Sequence, residues 1–113
     1  MRWMMLVALV ALVSSVAYAE PNPQIDRLWR AKCASCHGPD GKGQTEQGKK
    51  MAVGDMSSAA WQGALADDKV KAAISDGLKR LKNGVAQEME AYKTKLRPDQ
   101  IDGLVAYVRG LKK

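Results

Sequence analysis

Every cysteine and histidine of this chain falls within five residues, Cys33-Ala34-Ser35-Cys36-His37. Two thiols three positions apart lie about one helical turn apart. That spacing lets both sulfurs add to neighbouring vinyl groups on one edge of a porphyrin. His37, the next residue, then projects its imidazole beneath the metal as proximal ligand. C-x-x-C-H is the attachment pattern of c-type haem, and it uses all three side chains. A disulfide or a thioredoxin-like pair would use the cysteines alone, and the redox pair would sit in a βαβ context. A structural zinc site would want four ligands where this cluster offers three. Haem attachment through Cys33 and Cys36, with His37 on the iron, is therefore the chemistry expected. The second ring nitrogen of His37 should donate to a backbone carbonyl, which would fix the ring plane.

Composition agrees with a chain that needs a cofactor. Residues 1–19 read as a signal peptide: Arg2 is a short positive region, Trp3 to Val13 is apolar, and Ala17-Tyr18-Ala19 is a small-x-small cleavage pattern. The apolar stretch ends by Ala19 and contains Ser14 and Ser15, so it falls short of the ~20 residues that span a bilayer. Cleavage after Ala19 is expected, with no stable membrane span afterwards. Of the 113 residues, 94 would remain, read as one domain over residues 20–113. That domain contains no Phe, and so small a chain has little material for a core. A buried haem would supply the missing apolar mass. Export also places the thiols in an oxidising compartment, here expected to be the periplasm.

The whole chain carries 18 basic and 12 acidic residues, a net charge of +6. A basic surface suits nucleic acid, an anionic membrane or an acidic protein. Export argues against nucleic acid, and a lysine-rich rather than arginine-rich surface suits a hydrated docking rim. Lys42, Lys79, Lys82, Lys93 and Lys95 are placed to rim the haem.

Helical patterns must position the cluster. Asn22 reads as an N-cap with Pro23 at the first helical position. Ile25, Leu28, Trp29 and the Lys32 stem fall on one face, which runs on into Cys36. Gly38-Pro39-Asp40-Gly41 stops that helix, and Lys42 to Asp55 reads as a polar loop. A short helix is expected from Ser58 to about Leu65. A third runs from near Asp67 to Gly77, with Val70, Ala73 and Ile74 inward. Leu78 to Leu96 reads as irregular. The last helix starts near Pro98, and Ile101, Leu104, Val105, Val108 and Leu111 make its buried stripe. No run alternates as a strand, so the chain is read as all-α.

The sequence resembles the small class I cytochromes c of bacteria over essentially all of residues 20–113. Leu28-Trp29-Arg30-Ala31-Lys32-Cys33-Ala34-Ser35-Cys36-His37-Gly38-Pro39-Asp40-Gly41-Lys42-Gly43 is similar to the family's first helix and haem-binding turn. Ile101-Asp102-Gly103-Leu104-Val105-Ala106-Tyr107-Val108-Arg109-Gly110-Leu111 is similar to its last. Haem attachment near the N-terminus separates this family from the four-helix cytochromes c′. The resemblance implies the cytochrome c fold, with crossing N- and C-terminal helices and short helices wrapped around one covalently bound haem c. It implies a methionine as sixth ligand, and Met89 matches that position. The family usually has proline after this methionine, where this chain has Glu90. Met51 and Met56 are alternatives close behind the haem-binding turn. Trp61 resembles a tryptophan whose indole N–H bonds a haem propionate, and it also suits plain core packing. Trp29, Leu104 and Tyr107 match the packed helix crossing. Ile25 stands where the family commonly has glycine, which should hold the two helices further apart.

The function expected is that of a soluble periplasmic monohaem carrier of single electrons. It would not be an enzyme, because His37 and Met89 fill both axial positions. Its partners would be redox proteins with acidic docking surfaces, and it would work as a monomer. Three alternatives remain: a haem ligand sensor or small peroxidase with an open sixth position, a haem-free disulfide protein, and a subunit of an oxidoreductase complex.

Overall fold

A computed structural model of the chain describes residues 22–112. The expected signal peptide, residues 1–19, and its cleavage site lie outside the described residues. The first helix, α1 (Pro23–Lys32), opens where expected, with Asn22 Oδ1 accepting from Gln24 N at 3.0 Å and Pro23 in the first position. The chain then breaks at Cys33 and makes a single further turn, α2 (Ala34–His37). The expected continuous helix is thus two pieces, joined by His37 N donating to Cys33 O at 3.0 Å. Gly38, at φ +81°, turns the chain away.

A five-residue helix, α3 (Glu46–Lys50), interrupts the segment expected to be a loop. Its cap is Thr45, whose Oγ1 accepts from Gly48 N at 2.9 Å. Ser58 caps α4 (Ala59–Ala64) in the same way, through Trp61 N at 3.2 Å. The next helix, α5 (Asp67–Asp76), buries Val70 and Ile74 and ends at Gly77.

Residues 78–96 hold the largest correction to the secondary structure expected. In place of irregular chain, β1 (Leu78–Lys82) and β2 (Val85–Met89) form an antiparallel hairpin, with Leu78 opposite Met89 and Lys82 opposite Val85. Asn83 (φ +50°) and Gly84 (φ +78°) supply the two-residue turn whose twist matches the strands. Directly paired residues share a face. Leu78, Arg80 and Lys82 therefore lie with Met89, Gln87 and Val85, and this face looks inward: Val85, Gln87 and Met89 are half-buried while Ala86 and Glu88 are exposed. Lys79, Leu81, Ala86 and Glu88 face out. Gly77 (φ +72°) allows the return, because a side chain there would strike the Met89 carbonyl.

The last helix, α6 (Pro98–Gly110), starts with Gln100 Oε1 accepting from Arg97 N at 2.9 Å. It buries Ile101, Leu104 and Val108 against Ile25 and Trp29 of α1, Val70 and Ile74 of α5, and Met56, Tyr92 and Leu96. Trp29 and Leu104 are the centre of this crossing, each 2% exposed. Ile25, expected to hold the helices further apart, seats on Gly103 of α6. Tyr107 lies on Trp29 with ring centroids 5.1 Å apart, and its hydroxyl donates to Asp26 Oδ1 at 2.8 Å. At the far end of α6, Arg109 donates to Gln62 O at 2.9 Å and pairs with Asp67 at 2.6 Å, which ties α6 to the α4–α5 connection. Among the described residues, no helix is long and apolar enough to cross a membrane.

Candidate haem-attachment site

The break after α1 sets the site. Cys33 occupies the break and Cys36 the following turn; both are free thiols and half-buried. Burial pushes the Cys33 thiol up to about 11, so it is held protonated until something reacts with it. Carbonyls that the short turn leaves open are taken by the next segment. Thr45 Oγ1 donates to Ser35 O at 2.7 Å and lies 3.2 Å from Cys36 O. Gly48 is buried against the same Cys36 carbonyl, where a Cβ would collide with it. Gly43 N donates to His37 O at 2.8 Å.

His37 is half-buried beside Trp29, with ring centroids 5.8 Å apart and planes at 33°. Burial lowers its pKa, so the imidazole is neutral. Its Nδ1 is buried and has no hydrogen-bond partner among the described residues, so the expected carbonyl acceptor is not engaged. Two carbonyls of the turn are already occupied. Gly38 O accepts from Trp29 Nε1 at 3.0 Å and from Gly41 N at 3.2 Å, and His37 O accepts from Gly43 N.

Met89 closes β2 on the inward face of the hairpin and is half-buried. Together with Cys33 and Trp61, it packs on the same core that Trp29 and Tyr92 build. Met56 is part of that core, 7% exposed, with its N–H on Gly41 O at 2.9 Å. Met51 is half-buried, and its carbonyl accepts from Gln87 Nε2 at 2.9 Å. Trp61 is half-buried on α4, in the shell around the core.

Sequence reasoning passed over Tyr92. It is 8% exposed, and its hydroxyl donates to Lys32 O at 3.2 Å, beside the start of the cysteine cluster. Burial raises its pKa, and the nearby Cys33 and Cys36 add to that. Tyr92 N and Lys93 N donate to Ile74 O and Ser75 O at 3.0 and 3.1 Å, so the chain after β2 is held by both α1 and α5. The only signal for this in the sequence is an aromatic residue three positions after Met89.

These residues fit haem c. Two free thiols one turn apart, a neutral, half-buried imidazole beside them, and an apolar surround are what covalent attachment and iron ligation require. They do not fit zinc: among the described residues, no group of three or more histidine, cysteine or acidic side chains is arranged to hold a metal ion.

The family model for cytochrome c matches residues 25–112. The chain is 31% identical to cytochrome c6 of Nostoc sp. over 97 residues, which cover 86% of this chain and 77% of that protein. It is 33% identical over 103 residues to the Cbb3-type cytochrome c oxidase subunit CcoP of Rubrivivax gelatinosus; these are 90% of this chain and 30% of that much longer subunit. Among solved structures, the KustC0563 c-type cytochrome superposes with a TM-score of 0.65 at 31% identity, over 78% of this chain and 96% of that one. Membership implies covalently bound haem c and a role in electron transfer, and the helical fold with its small added sheet agrees. The chain belongs to the cytochrome c family.

Proposed function

We propose that this protein is an exported, periplasmic carrier of single electrons that holds one haem through Cys33 and Cys36, with His37 and Met89 as its axial ligands. The observation that carries this is the neutral, half-buried His37 imidazole placed directly after two free, half-buried thiols. Haem supplies an iron that cycles between ferric and ferrous states. The chain does the rest. Trp29 and the turn 38–43 hold His37 in place. The hairpin and its Tyr92 anchor bring Met89 to the same core from the other end of the chain. His37 and Met89 would together hold the iron and leave no position for a substrate, so that outer-sphere electron transfer would be the chemistry it supplies. A soft thioether ligand favours the ferrous state. The apolar core disfavours the extra charge of the ferric state. Trp61 would bond a propionate. Export is supported by residues 1–19, which carry a charged, apolar and small-residue pattern in that order.

A redox titration of the holoprotein followed by optical spectra tests this. The expected result is one haem per chain, a one-electron transition, and a weak far-red band from the thioether on ferric iron. Ready binding of carbon monoxide by the reduced protein would favour a ligand sensor or peroxidase. Absence of haem staining on a denaturing gel would overturn the assignment altogether.

A second reading is work within an oxidase complex. It is favoured by the match to a domain-sized part of an oxidase subunit. Co-purification of the chain with a membrane oxidase activity would support it.

A further inference from the structure

We propose that Tyr107, Trp29 and His37 form an electron exit from the haem, through which ferrous iron quenches small, strongly oxidising radicals at the α1–α6 crossing; it rests on the haem attachment proposed above, with His37 on the iron. The two aromatic ring contacts among the described residues run in series. The Trp29 indole lies 5.8 Å from the His37 ring, centroid to centroid, with planes at 33°. Tyr107 lies 5.1 Å from Trp29, with planes at 30°. Both fall within the range of aromatic contact, about 4.5–7 Å. Trp29 thus links the proposed iron ligand to a half-buried phenol.

The two oxidisable rings treat their protons differently. An electron leaving Tyr107 must be matched by a proton, because an oxidised phenol is a very strong acid. The acceptor is in place. The Tyr107 hydroxyl donates to Asp26 Oδ1 at 2.8 Å, while Arg30 Nε holds Asp26 Oδ2 at 2.9 Å. The Arg30 bond, then the Tyr107 bond, keeps the carboxyl below its ordinary range, so it stands ionised. At rest the phenol keeps its proton, since burial and then the Asp26 bond raise its pKa to about 12. Trp29 is arranged the opposite way. It is 2% exposed, and its Nε1–H donates to Gly38 O at 3.0 Å. A carbonyl is no base, so an oxidised indole here retains its proton and is refilled by an electron alone.

The electrons and protons balance. A radical takes one electron from Tyr107 and leaves as its anion, and the phenol proton passes to Asp26. Trp29 then returns an electron to Tyr107, and Asp26 returns the proton. Ferrous iron refills Trp29 across the His37 ring. One iron becomes ferric for each radical reduced.

Packing alone asks for neither residue type. Phenylalanine would fill an aromatic crossing, yet the chain has none. Tyr92 makes a poorer exit. Its hydroxyl donates to Lys32 O at 3.2 Å, a neutral acceptor that takes no proton, and its ring is in no aromatic contact among the described residues.

The test is pulse radiolysis of the ferrous holoprotein in azide solution. The azide radical takes single electrons from phenols and indoles and becomes azide ion. Wild type should show a phenoxyl absorption that decays as ferrous haem is lost, in a first-order phase independent of protein concentration. Direct oxidation of the iron is second-order and is separated on that ground. Tyr107→Phe should lose the phenoxyl component of this phase. Trp29→Phe should form the phenoxyl radical and slow its decay several-fold. Asp26→Asn, which keeps a hydrogen-bond acceptor but no base, should lower the phenoxyl yield. An unchanged first-order phase in Tyr107→Phe would overturn the exit, as would its loss in Tyr92→Phe alone. Equal decay in Trp29→Phe and wild type would remove Trp29 from the route and overturn the relay. Wild type that gives an electron to ferricyanide yet shows no first-order phase after azide radicals would overturn the exit and leave the carrier function standing. Failure to give an electron even to ferricyanide would remove the carrier function itself, and the exit with it.

Discussion

Ile25 of α1 is seated directly on Gly103 of α6: a Cβ built at position 103 would stand 2.7 Å from Ile25 Cδ1 and 2.9 Å from Cγ1. The helices approach closely because α6 lacks a side chain at that level. Ile25 is only 7% exposed, so it has little room to turn aside. The resemblance to small cytochromes places a glycine on the first helix; here the space is supplied by the last.

Gly103→Ala should therefore destabilise the protein. Overpacking a filled core costs about 1–3 kcal/mol, and the gain from replacing a helical glycine, up to ~1 kcal/mol, offsets only part of it. Urea unfolding of the holoprotein should show the loss, and adding Ile25→Val should recover some of it. An additive double-mutant cycle would mean that the two residues do not share this space.

Trp29→Phe preserves an aromatic ring in the crossing but removes the Nε1–H that reaches Gly38 O at 3.0 Å. The expected cost is about 1 kcal/mol, the net worth of a typical buried hydrogen bond. Because Trp29 also flanks the His37 ring, the hyperfine-shifted proton resonances of the ferric protein should move as well. Unchanged resonances with unchanged stability would show that the indole donor contributes nothing.

Met89→Ala should abolish the far-red band, open the iron to carbon monoxide and lower the reduction potential by on the order of 0.1 V, within the ~0.8 V that axial ligands span. Met51→Ala should do none of this. Met56→Ala should destabilise by about 2–5 kcal/mol, because Met56 is a core side chain, yet leave the band in place. Retention of the band in Met89→Ala, with its loss in Met56→Ala, would reassign the ligand.

Tyr107 carries a pH signature. Burial is the larger cause and the bond to Asp26 the next in raising its phenol to about 12, from an ordinary value of 10.0. A raised phenol pKa means that the folded state favours the neutral form. The contribution to stability is complete below pH 10, falls as the unfolded chain ionises first, and is gone above about pH 12. Wild type should thus lose more stability than Tyr107→Phe across that window. Parallel curves from urea titrations at stepped pH would refute this.

Much of the helical frame was legible. Asn22-Pro23 and Gly77 mark real helix ends, and the stripe Ile101, Leu104, Val108 is buried as its period requires. The hairpin was not, because Leu78 and Leu81 are three residues apart and fall on opposite faces, so β1 shows no alternation. Asn83-Gly84 was its one local mark. Five-residue α3 is too short to display a helical period, and only its Thr45 cap betrays it. The cluster at Cys33, Cys36 and His37 was plain because its chemistry is local in sequence. Tyr92 and the Ile25–Gly103 seat were hidden because each depends on a partner far along the chain.

The bond from Tyr92 to the Lys32 carbonyl joins residues 60 positions apart. Lys32 immediately precedes Cys33, and Tyr92 follows Met89 by three residues, so one contact fixes the spacing between the two segments that would grip opposite sides of the haem. With the Ile74 and Ser75 carbonyls holding residues 92 and 93 as well, the backbone that follows β2 is tied to α1 and α5 at once. Were Met89 the sixth ligand, as proposed, this tether would limit the nuclear motion that accompanies the electron and so favour a low reorganisation energy, through a tyrosine that never touches the metal.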